Sequence, residues 1–280
     1  MTDQVILCWV EPGNVGGKFM DSVIRLFYED RRRAELDLPE LVAGHSFLES
    51  GPRIAAGRND LVRSFLAKEA WKDVEWLLML DADMVFDGSL VHTLLDGTRN
   101  EQGQIVRPVT GGLCFGGGHG SILPTMYRFV DPETNNGSAF ALVSEWEPNE
   151  VVSVDATGAA CLLIHRGILE LMAQTFPEPS PWFAESEYKG QSFGEDWTFC
   201  MRIRNGLGFP IYVNTAAKVG HVKTIVMDET MYRTGMSGLK SITGFGAPEV
   251  IKEAAAKSQL ILPTDPRNRE QRRADARVRA

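Results

Sequence analysis

Over the first 115 residues, short apolar runs alternate with stretches of helical spacing. Residues 4–10, QVILCWV, form a β-rich run that ends at the turn signal Glu11-Pro12-Gly13-Asn14. Residues 18–30 place Phe19, Val23, Leu26 and Phe27 at helical intervals. A charged connection over 30–40 leads to His45-Ser46-Phe47-Leu48-Glu49, a second strand or the entry to a loop. Leu61, Val62, Phe65 and Leu66 predict a helix within 54–70. The run 76–80, WLLML, is wholly apolar and meets carboxylates at its end, as a central parallel strand does when it delivers a site. A short helix over 89–95 and strands at 105–106 and 110–115 follow, then a flexible glycine-rich stretch over 116–120.

Beyond residue 115 the texture changes. Short strands are expected at 127–130, 139–146 and 151–154, in a more antiparallel part. Residues 159–165 predict another apolar strand and 166–174 a helix. A proline-bounded loop over 177–181 precedes Trp182-Phe183, and 195–205 predict a helix capped by Gly206. A last strand over 209–213 comes before Val219-Gly220-His221. The alternation predicts an α/β fold: a mixed, mainly parallel central sheet flanked by helices, with a small antiparallel part. No repeat or low-complexity linker interrupts it. One domain is expected over 1–227, with halves 1–115 and 116–227, followed by a C-terminal extension over 228–280.

Composition narrows the class. With 280 residues, 44% hydrophobic and 24% charged, disorder, collagen-like repeats and coiled coil are excluded. No apolar run reaches the roughly 18 residues of a membrane span. The opening MTDQVILCWVEP has an acid and no base ahead of a short apolar run, so a secretory signal is not expected and the cytoplasm is. Cys8, Cys114, Cys161 and Cys200 form no CxxC pair and read as reduced core residues. Net charge is −8, unevenly placed: the last fourteen residues hold six arginines against Glu270 and Asp275, leaving −12 on the rest. So acidic a body does not suit a phosphate backbone, which needs a positive surface.

Three clusters carry candidate chemistry. Asp81-Ala82-Asp83 follows the apolar run directly; two carboxylates one residue apart can converge on a divalent cation, Mg²⁺ or Mn²⁺, that also takes phosphate oxygens. Alone, such a pair also serves as a solvated turn. Glu195 and Asp196 open a helix beside the aromatic-rich segment 182–193, where a carboxylate can act as general base on a hydroxyl. Acids in a first helical turn also simply complement the helix dipole. His221 follows the last strand and, as a neutral imidazole, can complete a metal shell begun by carboxylates.

These clusters belong to an ordered set: Ala56-Gly57-Arg58-Asn59-Asp60-Leu61-Val62, the run from Trp76 through Asp81-Ala82-Asp83 to Phe86, Asp155-Ala156-Thr157-Gly158 through Arg166, Phe193-Gly194-Glu195-Asp196-Trp197, and Val219-Gly220-His221. The set spans about residues 4–223. It resembles the GT-A (Rossmann-like) glycosyltransferases, especially the family-2-like enzymes of bacteria and their phages; a phage-encoded member would work in the host cytoplasm.

The resemblance implies a role for each residue. Asp83 and His221 would ligate Mn²⁺ or Mg²⁺, and Asp81 would face the ribose and support the metal through water. Glu11 and Pro12 would meet the base of a UDP- or GDP-sugar, Arg58 and Asn59 would line the nucleotide pocket, and Gly158 would pass close to the donor sugar. Asp196 would be the catalytic base of an inverting hexosyl transfer, with Glu195 its neighbour and substitute. Residues 1–115 become the nucleotide-binding half and 116–227 the acceptor side. The segment around Gly116 and the tail from Asp228 match nothing in that pattern and leave the acceptor open. Two other readings stand beside it. A nucleotidyltransferase would use a glycine-rich basic loop such as Glu11 to Lys18, and an inactive module would bind nucleotide-sugar without turnover.

Overall fold

The strand β1 (Val5–Glu11) is buried at every position but its last, so both faces of the sheet around it must be covered. The computed structural model describes residues 3–118, 121–135 and 137–223. The chain divides into two units, Met1–Ile225 and Val226–Ala280. The expected basic extension over 228–280 lies outside the described residues.

On one face of β1, Val5, Leu7 and Trp9 pack with Phe19, Val23 and Leu26 of α1 (Gly17–Glu35) and with Leu90, Val91 and Leu94 of α3 (Leu90–Leu95). On the other, Ile6, Cys8 and Val10 pack with Leu61, Val62 and Phe65 of α2 (Ile54–Ala67) and with Ile168, Leu169 and Met172 of α4 (Arg166–Thr175). The two-residue alternation of the strand thus divides one apolar run between two cores.

Around β1 lie β2 (Val42–Glu49) and β3 (Trp76–Asp81), both parallel to it. The central sheet continues through β12 (Cys161–His165), antiparallel to its neighbours, to β5 (Val109–Leu113), then β15 (Ile211–His221), parallel to β5, and β10 (Val151–Val154) at the far edge. β4 (Met84–Phe86) adds to the end of β15. This is a mixed α/β architecture with a large, mainly parallel central sheet flanked by helices. A small antiparallel sheet, β11 (Ala156–Thr157), β8 (Met126–Phe129) and β9 (Phe140–Leu142), stands apart from it. Among the described residues, no helix is long and apolar enough to cross a membrane.

Several elements differ from expectation. The charged run after Asp30 continues α1 to Glu35, because Asp30 is buried and accepts from the backbone N–H of Leu41 and Val42 at 2.7 and 3.0 Å, while the arginines that follow face solvent. The glycines at 116–118 are not a flexible loop but β6 (Phe115–Gly118), paired with β7 (Ser121–Pro124). The strand expected at 105–106 reduces to a single bridge between Arg99 and Ile105. The strand expected over 139–146 shortens to β9. The helix expected over 195–205 is α5 (Glu195–Met201) followed by a π-helical turn, Arg202–Leu207; the cap is Gly208 at φ 77°, not Gly206. The last strand does not stop at 213 but runs eleven residues to His221, because β4 gives its end a partner. Between Trp182 and α5 the aromatic segment forms a hairpin, β13 (Ser186–Tyr188) with β14 (Gln191–Phe193).

Candidate active site

Parallel register sets Val10 beside Asp81, so β1 and β3 end together and their last residues open into the same space. There lies a cavity of about 720 Å³, bordered by Glu11, Pro12, Ile54, Asp81 and Asp83, by Gly16, Gly17 and Lys18 where α1 begins, and by Lys223. α1 starts without a side-chain cap and with no acid in its first turn, which leaves its N-terminal partial charge uncompensated.

The two carboxylates of Asp81-Ala82-Asp83 part company. Asp81 turns to Arg58, whose Nη2 donates to Asp81 Oδ1 at 2.6 Å. Asp83 turns to the end of β15, where Oδ2 lies 2.8 Å from His221 Nε2 and 3.6 Å from Lys223 Nζ. β4 makes that meeting possible: pairing of Met84 with His221 carries the residue before Met84 across to the imidazole.

The protonation of His221 follows from its partners. Nδ1 lies 3.0 Å from the carbonyl of Phe115, which can only accept, so Nδ1 carries a proton. Nε2 then presents either a lone pair or a second proton to Asp83. A proton there makes the 2.8 Å contact a hydrogen bond to the carboxylate, whereas a lone pair would need a cation to join the two. That donor set, a carboxylate with an imidazole oriented by a carbonyl on its far nitrogen, fits a divalent metal. Among the described residues no three His, Cys, Asp or Glu cluster as a ready metal cage. Asp83 and His221 could hold one divalent ion only with water and phosphate oxygens completing its shell.

Arg58 joins this cavity to the start of α5. Its side chain is 4% exposed; Nη1 donates to Glu195 Oε1 at 2.7 Å while Nη2 holds Asp81. Burial works against its charge, but Asp81, Glu195 and Asp196 outweigh that and push its pKa up. Glu195 is thus an anchored counter-ion. Asp196 has no such partner: Oδ1 accepts from the Trp197 N–H at 2.8 Å, and a Cβ placed on Gly158 would lie 3.7 Å from Oδ2. A side chain at Gly158 would touch that oxygen and Thr125. Burial, with the Glu195 charge adding to it, raises the Asp196 carboxyl above its ordinary value against the opposing pull of Arg58 and the Trp197 N–H.

Of the residues singled out in the sequence, Glu11, Pro12, Asp81 and Asp83 border the cavity, His221 meets Asp83, and Gly158 meets Asp196. Arg58 stands behind Asp81. Asn59 is 1% exposed and its amide is spent on the backbone: it donates to Ala55 and Phe183 carbonyls and accepts from the Phe183 N–H. It braces the segment before the hairpin and does not border the cavity. Lys223 was not foreseen; its only signal in the sequence is a position two residues past His221.

No protein-family model matches the chain, and no curated protein does. Among solved structures, the A197 protein of STIV is similar at TM-score 0.43 and 17% identity, over 79% of this chain and 86% of that one. A glycosyltransferase involved in glycosylation of the major capsid of PBCV-1 is similar at 0.38 and 10%, over 79% and 95%. A mutant Drosophila β-1,4-galactosyltransferase 7, in complex with manganese, UDP-Gal and xylobiose, is similar at 0.38 and 12%, over 79% and 71%. Likenesses this loose do not define a shared family, and a shared fold does not by itself carry a function.

Proposed function

We propose that the protein is a metal-dependent glycosyltransferase that moves a sugar from a nucleotide-diphosphate sugar to an acceptor hydroxyl with inversion. The observation that carries this reading is the division of carboxylates across Arg58. Asp83 faces an oriented histidine at the cavity, while Asp196 stands free on the other side, where burial and Glu195 raise its pKa.

Glu11, Pro12 and Ile54 border the part of the cavity that suits a base and ribose, and Lys18 and Lys223 offer charge to phosphates. Held by Asp83 and His221, a divalent cation would supply further neutralisation of the departing diphosphate. With no side chain on Gly158 to touch it, the Asp196 carboxylate takes the acceptor proton as the hydroxyl attacks the anomeric carbon from the face opposite the diphosphate. Arg58 keeps Glu195 out of that role by holding its carboxylate.

A second reading, nucleotidyl transfer, is favoured by one observation: Gly16, Gly17 and Lys18 border the cavity as a phosphate-binding loop would. Products separate the two. Incubation with UDP- and GDP-sugars and Mn²⁺ releases nucleoside diphosphate under the first reading. Nucleoside triphosphate with a sugar phosphate releases pyrophosphate under the second, and an inactive binding module releases neither. Proton NMR of the glycoside reports inversion; a product with the anomeric configuration of the donor rejects it.

The shifted Asp196 carboxyl has a readable consequence. A base works ionised, so a raised pKa places the acidic limb of kcat/KM above that of a free aspartate. Glu195→Gln removes the like charge that contributes to the shift, so the limb moves to lower pH. A limb that stays put in Glu195→Gln would show that Asp196 is not the group being titrated.

A further inference from the structure

A second cavity, about 330 Å³, lies beside the β13–β14 hairpin and has no part in the chemistry above. Its floor is aromatic. Phe140 and Phe193 are 7% and 4% exposed and pack on Trp197, the residue after Asp196, with ring centroids 3.7 and 6.0 Å away. Tyr188, 47% exposed, borders the same cavity, as do the charged Asp131 and Lys189 and the amide of Asn205.

The hairpin is held in place. Its turn runs through Lys189 at φ 49° and Gly190 at φ 74°, and the first is a left-handed conformation that a lysine adopts at a cost. Lys189 Nζ is fixed 3.2 Å from Asp131. Gln191 accepts from the Ala139 N–H at 3.2 Å and donates to the Gly137 carbonyl. Tyr188 therefore borders the cavity from a latched turn.

We propose that this cavity is a saccharide subsite that takes a pyranose ring. A pyranose has an apolar C–H face, which suits the aromatic floor, and a hydroxyl edge that needs both donors and acceptors. The Lys189–Asp131 pair and Asn205 supply both at the rim, and few polar groups around an apolar lining is how small-molecule sites set orientation. A wholly apolar ligand, such as an aliphatic peptide side chain, would cover that charged rim without replacing its water. Met201, which also borders the cavity, is five residues past Asp196, about 7.5 Å along the axis at the usual helical rise. Asp196 does not border the cavity, so a sugar bound here is not the one reacting. Calling it a neighbouring unit of the acceptor rests on the transfer reading above; the saccharide site itself does not.

The test is titration of the whole chain with cellotriose, chitotriose and mannotriose by calorimetry, in chelator and without nucleotide. At least one trisaccharide binds. Tyr188→Ala weakens it by about 3- to 10-fold, the worth of one aromatic contact. Tyr188→Phe, which keeps the ring, restores it, and binding of nucleoside diphosphate with Mn²⁺ is unchanged in both variants. Binding of none of the three, or equal binding by Tyr188→Ala, overturns the proposal, as does competition for the site by an aliphatic peptide alone. Trisaccharide binding without any release of nucleoside diphosphate keeps the subsite and removes the transfer reading. Release of the diphosphate with equal binding by Tyr188→Ala does the reverse.

Discussion

Asp196→Asn is expected to leave donor binding intact and to cut transfer by about two to four orders of magnitude, the usual worth of a general base. The change keeps the shape of the side chain and its acceptor for the Trp197 N–H, so the start of α5 stays as it is. What it removes is the oxygen pair able to take a proton. Glu195 cannot step in, because Arg58 holds its carboxylate at 2.7 Å. Nucleotide affinity by calorimetry should match the parent chain, while single-turnover transfer falls. Transfer within a fewfold of the parent would leave Asp196 the dipole-complementing acid of a helix start and nothing more.

Asp83→Ala is expected to abolish the cation dependence of nucleoside-diphosphate binding, and with it most of the affinity. Asp83 is half exposed, so the substitution costs little stability. The informative point is the sign of the effect. Lys223 Nζ lies 3.6 Å from the Asp83 carboxylate. If no metal worked here, removing Asp83 would free that ammonium and take away a charge that repels phosphate, so binding would tighten. If Asp83 and His221 hold the ion, binding is lost, because the imidazole alone is a poor ligand for a hard cation. Titration with and without chelator distinguishes the two, and tighter binding in Asp83→Ala refutes the metal role.

Where structure follows from strong local pattern, the sequence shows it. The run Trp76–Asp81 is apolar until its last residue because β3 is buried on both faces, and the acids therefore had to lie at its C-terminal end. The amphipathic spacing of α1 and α2 is equally plain. Other features depend on partners far along the chain. β4 is three residues long and exists through pairing with β15, so neither it nor the full length of β15 shows in local spacing. Arg58 and Asn59 are adjacent on one helix and read alike as sequence. Burial gives one a pair of carboxylates and the other a backbone to brace. The glycines after Phe115 suggested freedom, but the facing strand β7 makes them a hairpin. The aromatics of the second cavity are legible only as an aromatic-rich stretch, since the floor they build combines β9 with β14.

The position of β15 in the sheet has a consequence for how the chain assembles. It is the last strand of the described residues to be synthesised, yet it lies between β5 and β10 and not at an edge. Until it arrives, β5 has an open side, β10 has no neighbour in the central sheet, and β4 has nothing to pair with. Asp83 and His221 are 138 residues apart, so their encounter closes one of the longest loops in the structure. Pairings of such range form slowly and leave strand edges bare while they wait. A ribosome that stalls before residue 211 therefore holds a chain with a split sheet, one that a chaperone would recognise long before a substrate would.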